Sequence, residues 1–428
     1  MPKLEGTDPG RRISLREDFV IMALAVILVV ITSVSLMLGK FSIEPHEAIC
    51  MLLGQVFPID QFWTNQQQTL FFNVRLPRIL LALMVGCCLA AAGAAFQGTF
   101  QNPLVSPDIL GASQGAALGA AIAILLGASA FATSLFAFCF AIATVFLVLL
   151  ISSRAKGNRI LVVVLAGVMV SSLFQAGVSF TKLIADPTDQ LPAITYWLMG
   201  SLTSAKMSDV TLVAAPMIIG CVVLFAMRWR INILPMGDDE AATMGVNAKR
   251  MRVVVLLAAT LVTASSVAVS GMVGWVGLVI PHLCRMVVGC DYRKLMPTSM
   301  LMGAGFLLIV DDVSRLLTTA EIPIGILTAF IGAPFFFPLF GLVFIGIGVV
   351  NAIYSFKNAT GDNRYSAYDI VDEDEEPDPL NQRFRPDPQN GPDSPESGDA
   401  RFCPYCGAPI QGDYAYCPRC GKSLPDLQ

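Results

Sequence analysis

Long uncharged apolar runs alternate with short charged segments over the first 356 residues of the chain. One helical bilayer crossing needs about 20 apolar residues. The run from 109 to 153 is long enough for two helices with a break near Gly127, and the run from 253 to 284 divides at 271–277. We therefore predict ten transmembrane helices within the uncharged runs 19–39, 79–107, 109–153, 160–181, 210–227, 253–284, 295–310 and 322–356.

The last of these runs contains three prolines, Pro323, Pro334 and Pro338. Proline interrupts a helix, because its ring clashes with the preceding turn and it lacks a backbone donor. Residues 322–336 could therefore form a re-entrant segment before a final helix. The fold class that these patterns predict is an all-α polytopic membrane protein.

The positions of lysine and arginine predict the orientation. Cytoplasmic loops of membrane proteins carry an excess of these residues. With ten spans, every cluster falls on one side, so we predict a multi-pass protein of the cell membrane with both termini in the cytoplasm. The clusters are Arg11, Arg12 and Arg16; Arg154, Lys156 and Arg159; Arg228, Arg230, Lys249, Arg250 and Arg252; and Arg285, Arg293 and Lys294.

Composition supports this class and excludes others. Charged residues make up 14% of the chain and apolar residues 55%, whereas soluble domains carry about 25% charged residues. Residues 1–360 have 22 basic and 18 acidic groups, and residues 361–400 have 3 and 12. The negative net charge thus comes from the tail, and the composition excludes a soluble enzyme, a disordered protein and a nucleic-acid binder with a basic face.

The chain after the last span changes character. We predict a cytoplasmic N-terminus at 1–18, a transmembrane domain at 19–356, a disordered acidic, proline-rich linker at 357–400 and a small domain at 401–428. The small domain contains two Cys-x-x-Cys turns that can present four thiolates to one tetrahedral zinc ion. A disulfide or redox pair and an iron site are the alternatives. The four predicted zinc ligands are Cys403, Cys406, Cys417 and Cys420.

Few groups in the chain suit catalysis or ion coupling. Lys422-Ser423 follows Gly421, but the earlier glycine of a phosphate-binding loop is replaced by Tyr416. We therefore predict no nucleotide site in this chain. Asp311, Asp312 and Arg315 share one span, and the spacing of Asp311 and Arg315 favours an intrahelical ion pair over a proton relay. The energy for any transport is then expected to come from a partner.

Small residues recur in two spans. Gly111, Gly115 and Gly119 are spaced by four, and residues 90–95 are only alanine and glycine. This pattern indicates close helix packing, with the lining of a pathway as the functional alternative.

Four separated motifs resemble a known family. They are GCCLAAAGAAFQ at 86–97 followed by NPLVSPDILG at 102–111, WVGLVIPHLCR at 275–285, EIPIG at 321–325 and GAP at 332–334. In this order they are similar to the permease subunits of ABC importers for iron-siderophores, haem and cobalamin. The resemblance covers residues 15–356. It implies ten spans per subunit, a homodimer in the lipid bilayer with the pathway at its interface, two cytoplasmic ATPase subunits and an external substrate-binding protein.

The resemblance also implies two sets of contact residues. Arg75, Arg78 and Arg315 match positions that dock carboxylates of the binding protein, with snorkelling or intrahelical pairing as the alternative. Residues 236–247 resemble the segment that couples the permease to its ATPase, with a solvated loop as the alternative. Within it the implied coupling residues are Gly237, Asp238, Asp239, Glu240, Ala241 and Gly245. Gln101 departs from the family, which usually has arginine before Asn-Pro-Leu.

The sequence therefore predicts the translocation subunit for an iron-siderophore or a similar metal chelate, with haem and cobalamin as further chelates. A different class, an ion-coupled secondary transporter or a channel, is the alternative. A membrane anchor that serves the C-terminal domain is a third possibility. The resemblance implies no function for the linker and the small domain, for which protein interaction or regulation is the hypothesis.

Overall fold

The fold is described from a computed structural model. It describes residues 9–334, except positions 40, 42, 56, 59, 155–158 and 319, and beyond them residues 349, 352–353, 401–403, 406, 409–410, 417 and 419–420. The chain divides into two compact units, Met1–Ile345 and Gly346–Gln428.

The first unit is a bundle of α-helices. Its helices up to the middle of the chain are α1 (Pro9–Met37), α2 (Pro45–Leu53), α3 (Asn65–Leu70), α4 (Leu76–Phe100), α5 (Ala112–Leu125), α6 (Ala130–Arg154) and α7 (Arg159–Ile184). They are followed by α8 (Gln190–Met199), α9 (Met207–Ile231), α10 (Asp238–Thr243), α11 (Ala248–Ser270), α12 (Val276–Val288), α13 (Tyr292–Leu316) and α14 (Ile324–Pro334). A π-helical turn at Phe71–Arg75 joins α3 to α4, and 3₁₀ turns lie at Pro107–Leu110 and Leu234–Met236.

The predicted all-α polytopic membrane fold is confirmed. In the described part of the chain, seven helical segments are long and apolar enough to cross a membrane, and the shorter apolar helices α5, α12 and α14 fall in the runs where the other three spans are predicted. Both predicted breaks are present: α5 ends at Leu125 before Gly127, and α11 ends at Ser270. The segment predicted as re-entrant, 322–336, is helical from Ile324 to Pro334. Its continuation lies outside the described residues.

Helix α4 forms the centre of the bundle. In the helical segment Asn65–Phe100, which contains α4, 78% of the most apolar stretch is buried inside the bundle. The corresponding value for the apolar stretch of α1 is 6%. Its run from Ala90 to Ala95 is fully buried and lacks large side chains. A Cβ atom on Gly86 would overlap the backbone of Gly303 in α13, and one on Gly93 would overlap the backbone of Gly277 in α12. Small residues therefore let three helix backbones touch.

The glycine spacing in α5 serves the same purpose. A Cβ on Gly115 or Gly119 would collide with the backbone of α6, at Phe140 and Phe136 respectively. The predicted role of these glycines in close packing is confirmed.

Helix α1 begins at Pro9, and its stretch long and apolar enough to cross a membrane begins at Arg16. The cytoplasmic location of residues 1–18 stays a prediction. The predicted linker at 357–400 lies outside the described residues. In the second unit, β1 (Arg401–Phe402) and β2 (Pro409–Ile410) form an antiparallel pair in which Arg401 lies opposite Ile410.

Candidate functional site

Two ends of the bundle differ in charge. The basic end is where α9 finishes with Arg228 and Arg230 and where α11 begins next to Lys249 and Arg250. The opposite end is where α4 begins and where α1 and α13 finish. These names describe the bundle without assigning either side to a compartment.

A buried ion-pair cluster joins helices at the opposite end. The Nε of Arg78 in α4 donates to Oδ1 of Asp311 in α13 at 2.9 Å. The Nη1 of Arg78 also donates to Oε2 of Glu321 at 2.8 Å. Arg315 lies with its Nε 3.5 Å from Oδ2 of Asp311 and bonds Asp312 through Nη2. The predicted intrahelical pair of Asp311 and Arg315 is confirmed.

Helix α1 is tied to the same cluster through its last turn. Ser35 donates to Oδ1 of Asp312 at 2.7 Å and accepts from Nη2 of Arg315 at 2.7 Å. Arg75 donates to the carbonyl oxygens of Leu36 at 3.0 Å and of Phe41. A helix C-terminus leaves carbonyl groups without partners inside the helix. Arg75 therefore caps the end of α1 across the bundle.

The three arginines predicted to dock a binding protein are thus directed into the subunit. Arg75 and Arg78 are each 4% exposed and Arg315 is 8% exposed. Their guanidinium groups bond carbonyl and carboxylate oxygens of α1, α13 and the segment at 321. The pairing is intrahelical for Arg315 with Asp311 and Asp312 and runs between separate elements for Arg75 and Arg78. Docking of a binding protein at these arginines stays a prediction.

Glu321 is a site residue that sequence reasoning missed. Its side chain is 26% exposed, and it links the buried Arg78 to Thr203, whose hydroxyl donates to Glu321 at 2.7 Å. Thr203 in turn lies 3.2 Å from the hydroxyl oxygen of Tyr196 in α8. Its position next to the apolar run that starts at 322 was the available signal, because an acid at a span end needs a cationic partner or water.

The predicted coupling segment is a short, exposed helix at the basic end. Gly237 and Gly245 flank α10 with φ values of +115° and +76°, which favour glycine. Asp239 and Glu240 are exposed, whereas Ala241 is fully buried and anchors the helix. All six implied coupling residues lie in this helix or at its two ends. Met236 and Met244, which belong to the predicted segment but not to the six implied residues, are also exposed beside it.

Helix α7 carries a stripe of exposed polar side chains inside an apolar span. Ser172, Gln175 and Ser179 are exposed and spaced at i, i+3 and i+7, which places them on one face. Polar groups within a span normally face a bundle interior or a water-filled cavity. The hydroxyls of Ser172 and Ser179 donate to the carbonyls of Val168 and Gln175 in the same helix, so this face is compatible with lipid as well as with a protein surface or a pathway. The i, i+3, i+7 spacing of these polar residues is visible in the sequence and is the signal for this polar face.

The four cysteines of the second unit converge. Every pair of their sulfur atoms lies within 4.8 Å. The Sγ atoms of Cys403 and Cys420 are 3.8 Å apart, and those of Cys406 and Cys417 are 3.6 Å apart. Tetrahedral Zn–S bonds of about 2.3 Å place sulfur atoms about 3.8 Å from each other. The donor set and its spacing therefore fit a tetrahedral tetrathiolate site.

The local backbone prepares one of these thiols for a metal. Backbone N–H groups of Cys420 and Arg419 donate to the sulfur of Cys417 and lower the pKa of that thiol to about 6. Hydrogen bonds to the charged form stabilise it. Cys417 is consequently a thiolate at neutral pH, which is the form that binds zinc.

Comparisons with known proteins agree with both units. A model of the FecCD transport family matches residues 26–341, and a model of a zinc-ribbon domain matches residues 402–424. The chain is 39% identical over 317 residues to the molybdate import system permease protein MolB of Haemophilus influenzae, which spans 74% of this chain and 94% of that protein. It is 40% identical over 270 residues to the cobalamin import system permease protein BtuC of Halobacterium salinarum, covering 63% and 72% respectively.

Two further matches support the same assignment. The hemin transport system permease protein HmuU of Yersinia pestis is 36% identical over 276 residues, which are 62% of this chain and 81% of that protein. A solved structure described as an inward-facing metal-chelate type ABC transporter superposes with a TM-score of 0.67 at 39% identity, covering 75% of this chain and 98% of that one. The family model spans most of the chain and these relatives align along the same bundle, so the chain belongs to the FecCD transport family.

Proposed function

We propose that this chain is the permease subunit of an ABC importer and that it forms the pathway for a metal chelate. The observation that carries the proposal is the match to the FecCD transport family over residues 26–341, together with the exposed helix α10 at the basic end. The basic end faces the cytoplasm in this proposal, because short cytoplasmic loops are rich in lysine and arginine. Both chain termini are then cytoplasmic.

The energy comes from a partner in this proposal. Asp311 and Asp312 are paired with Arg78 and Arg315 inside the subunit, which gives both carboxyl groups a structural role. A proton relay needs carboxyl groups that change protonation. The function of α10 is to bind one of two cytoplasmic ATPase subunits, and a binding protein delivers the cargo at the opposite end.

The subunit acts as a homodimer in this proposal. The polar stripe of α7, with Ser172, Gln175 and Ser179, is exposed on the single subunit. A second copy of the chain would cover this face and leave the hydroxyl and amide groups beside a pathway at the interface. Rocking of the two copies would then open that pathway alternately to each side.

The cargo is an iron-siderophore or a similar chelate such as haem or cobalamin. The named relatives carry cobalamin, hemin and molybdate. The test is uptake into liposomes that contain the chain with its ATPase and binding protein, offered ferrichrome, haem, cobalamin and molybdate in parallel. ATP-dependent uptake of a chelate supports the proposal. Uptake driven by an ion gradient without the ATPase would establish a secondary transporter instead.

Charge reversal on α10 should weaken the ATPase contact. Like charges introduced into a complementary interface are strongly unfavourable, so Asp239→Lys combined with Glu240→Lys should lower ATPase affinity by about tenfold or more. The measurement is titration of the purified permease with the ATPase. Asp189→Lys, an exposed acid at the opposite end, is the matched control and should leave the affinity unchanged. Equal affinities for both variants would contradict the role of α10.

The C-terminal cysteines hold one structural zinc ion in this proposal. Cys403, Cys406, Cys417 and Cys420 would be its ligands, and the zinc would supply the folding energy of a segment too small for its own core. The domain acts as an interaction or regulatory module. Deletion of residues 358–428 should accordingly leave most of the uptake intact.

Zinc occupancy should depend on Cys417 and on pH. The full chain should contain one zinc ion, measured by elemental analysis, and Cys417→Ser should lose it. Because zinc binds thiolates, protons compete with the metal for all four cysteines, and zinc should dissociate as the pH is lowered. Cys290→Ser, which removes an exposed cysteine outside the cluster, is the control. Zinc retained by Cys417→Ser would exclude this thiol as a ligand.

A further inference from the structure

A chain of hydrogen bonds crosses the basic end and joins four elements. Arg285 of α12 donates from Nη1 to Oε1 of Gln97 in α4 at 2.6 Å and from Nη2 to the hydroxyl of Tyr292 in α13 at 3.1 Å. The backbone N–H of Tyr292 donates to Oδ1 of Asn232, which follows α9, at 2.9 Å. Asn232 also donates to Asp291 at 2.6 Å. We name Gln97, Arg285, Tyr292 and Asn232 the basic-end chain.

One end of the basic-end chain reaches the segment that leads into α10. Asn232 is two residues before the fully buried Leu234, and the 3₁₀ turn Leu234–Met236 runs directly into Gly237. Gln101, the residue that follows α4, fixes this turn from the other side, because its Nε2 donates to the carbonyl of Leu234 at 3.1 Å. A displacement of α10 therefore acts on groups that are bonded to α4 and α13.

The other end reaches the break between α11 and α12. The Nε2 of Gln97 donates to the carbonyl of Leu278 in the first turn of α12 at 3.3 Å. The preceding residue, Gly277, is in backbone contact with Gly93 and faces Pro107. Just before α12, Trp275 has a φ of +69°, a backbone conformation that residues other than glycine rarely adopt. Strain of this kind persists only where the surrounding structure holds it.

Arg285 is the junction of this chain. Among the described residues, its hydrogen bonds go to neutral oxygen atoms on two different helices. A guanidinium group presents several donors in a fixed plane, so it can hold two acceptors in a fixed relation. Tyr292 is buried, and a Cβ on Gly98 would meet its hydroxyl end, so the phenol ring has little freedom. Displacement of α13 is therefore passed to Gln97 through Arg285.

We propose that Arg285 is a positioning residue that transmits movement of α10 to the break at 271–275 through Tyr292 and Gln97. The inference rests on the proposed function, because it takes α10 to be the ATPase contact. It adds a route by which that contact reaches the start of α12.

Amide hydrogen exchange of the intact permease–ATPase complex tests the route. The complex is compared without nucleotide and after trapping with ATP and vanadate. In the unaltered chain, trapping should change exchange at residues 237–245 and at residues 271–275. In Arg285→Gln the change at 271–275 should fall by about tenfold, a coupling loss typical of linked sites, while the change at 237–245 persists. Tyr292→Phe, which removes only the hydroxyl, should give a smaller loss in the same direction.

Arg293→Gln is the matched control, because it removes an exposed arginine from the same turn as Tyr292 and should preserve both responses. A full response at 271–275 in Arg285→Gln or in Tyr292→Phe would overturn the inference. Loss of the exchange changes at both 237–245 and 271–275 in Arg285→Gln and in Tyr292→Phe would also overturn it. The two residues would then only support assembly of the permease with its ATPase. Failure of the proposed function gives a different result, namely no protection of 237–245 by the ATPase in the unaltered chain.

Discussion

Replacing Asp311 by asparagine should lower the stability of the bundle by about 3–5 kcal/mol, the usual cost of removing one partner from a buried ion pair. Asp311 is fully buried and holds Arg78 at 2.9 Å and Arg315 at 3.5 Å. Asparagine fills the same space but carries no charge, so Arg78 keeps only Glu321 and Arg315 keeps only Asp312 as a carboxylate partner. Because each arginine retains one partner, the loss should fall at the lower end of that range. The measurement is thermal unfolding of the purified chain in detergent.

Asp189→Asn provides the matched control, since it makes the same chemical change at an exposed position and should alter stability only slightly. A second variant separates charge from packing. Combining Asp311→Asn with Arg78→Gln should cost less than the sum of the two single substitutions, because the two residues are in contact and their effects are not additive. Equal stability of Asp311→Asn and Asp189→Asn would show that the cluster does not hold the helices together.

The sequence was sufficient to predict the spans because charge and apolarity are local properties. Uncharged runs gave ten helices, and glycine near positions 127 and 271 marked both breaks inside the long runs. The four cysteines were equally accessible, because two Cys-x-x-Cys turns determine which side chains can meet. In both cases the evidence lies within a few residues of the feature that it predicts.

The partners of the arginines could not be predicted in this way. Arg78 is separated from Asp311 by 233 positions and from Glu321 by 243. A motif identifies Arg78 as notable, but only the fold shows that its Nε and Nη1 donate to carboxylates inside the subunit. Arg75, which caps α1 across a gap of 34 to 39 positions, is a second example. Long-range pairing is set by helix packing, and no local pattern records it.

The small residues lie between these two cases. Their spacing predicted close packing, yet it did not show which helix each glycine approaches. The structure shows that Gly93 of α4 touches the backbone of Gly277 at the start of α12. This contact lies beside the carbonyl of Leu278, to which Gln97 donates. Close approach of α4 and α12 is thus a condition for the hydrogen bonds that surround the break.

Gly93→Ala should therefore separate α4 from α12. The added Cβ would overlap the backbone of Gly277, which cannot rotate away as a side chain can. Overpacking of a tight core costs about 1–3 kcal/mol, and backbone contact places this site at the upper end. Thermal unfolding in detergent measures the loss of stability, and uptake in the reconstituted importer should fall with it.

Gly305→Ala is the appropriate comparison, because Gly305 is also a buried glycine within a helix. Among the described residues its Cβ would meet Leu28 alone, at an ordinary 3.5 Å. Alanine is favoured over glycine in a helix by up to about 1 kcal/mol. Gly305→Ala should consequently be neutral or stabilising, whereas Gly93→Ala should be destabilising. If both variants shifted the unfolding temperature in the same direction, backbone contact between α4 and α12 would not limit the residue at position 93, and the break before α12 would not depend on it.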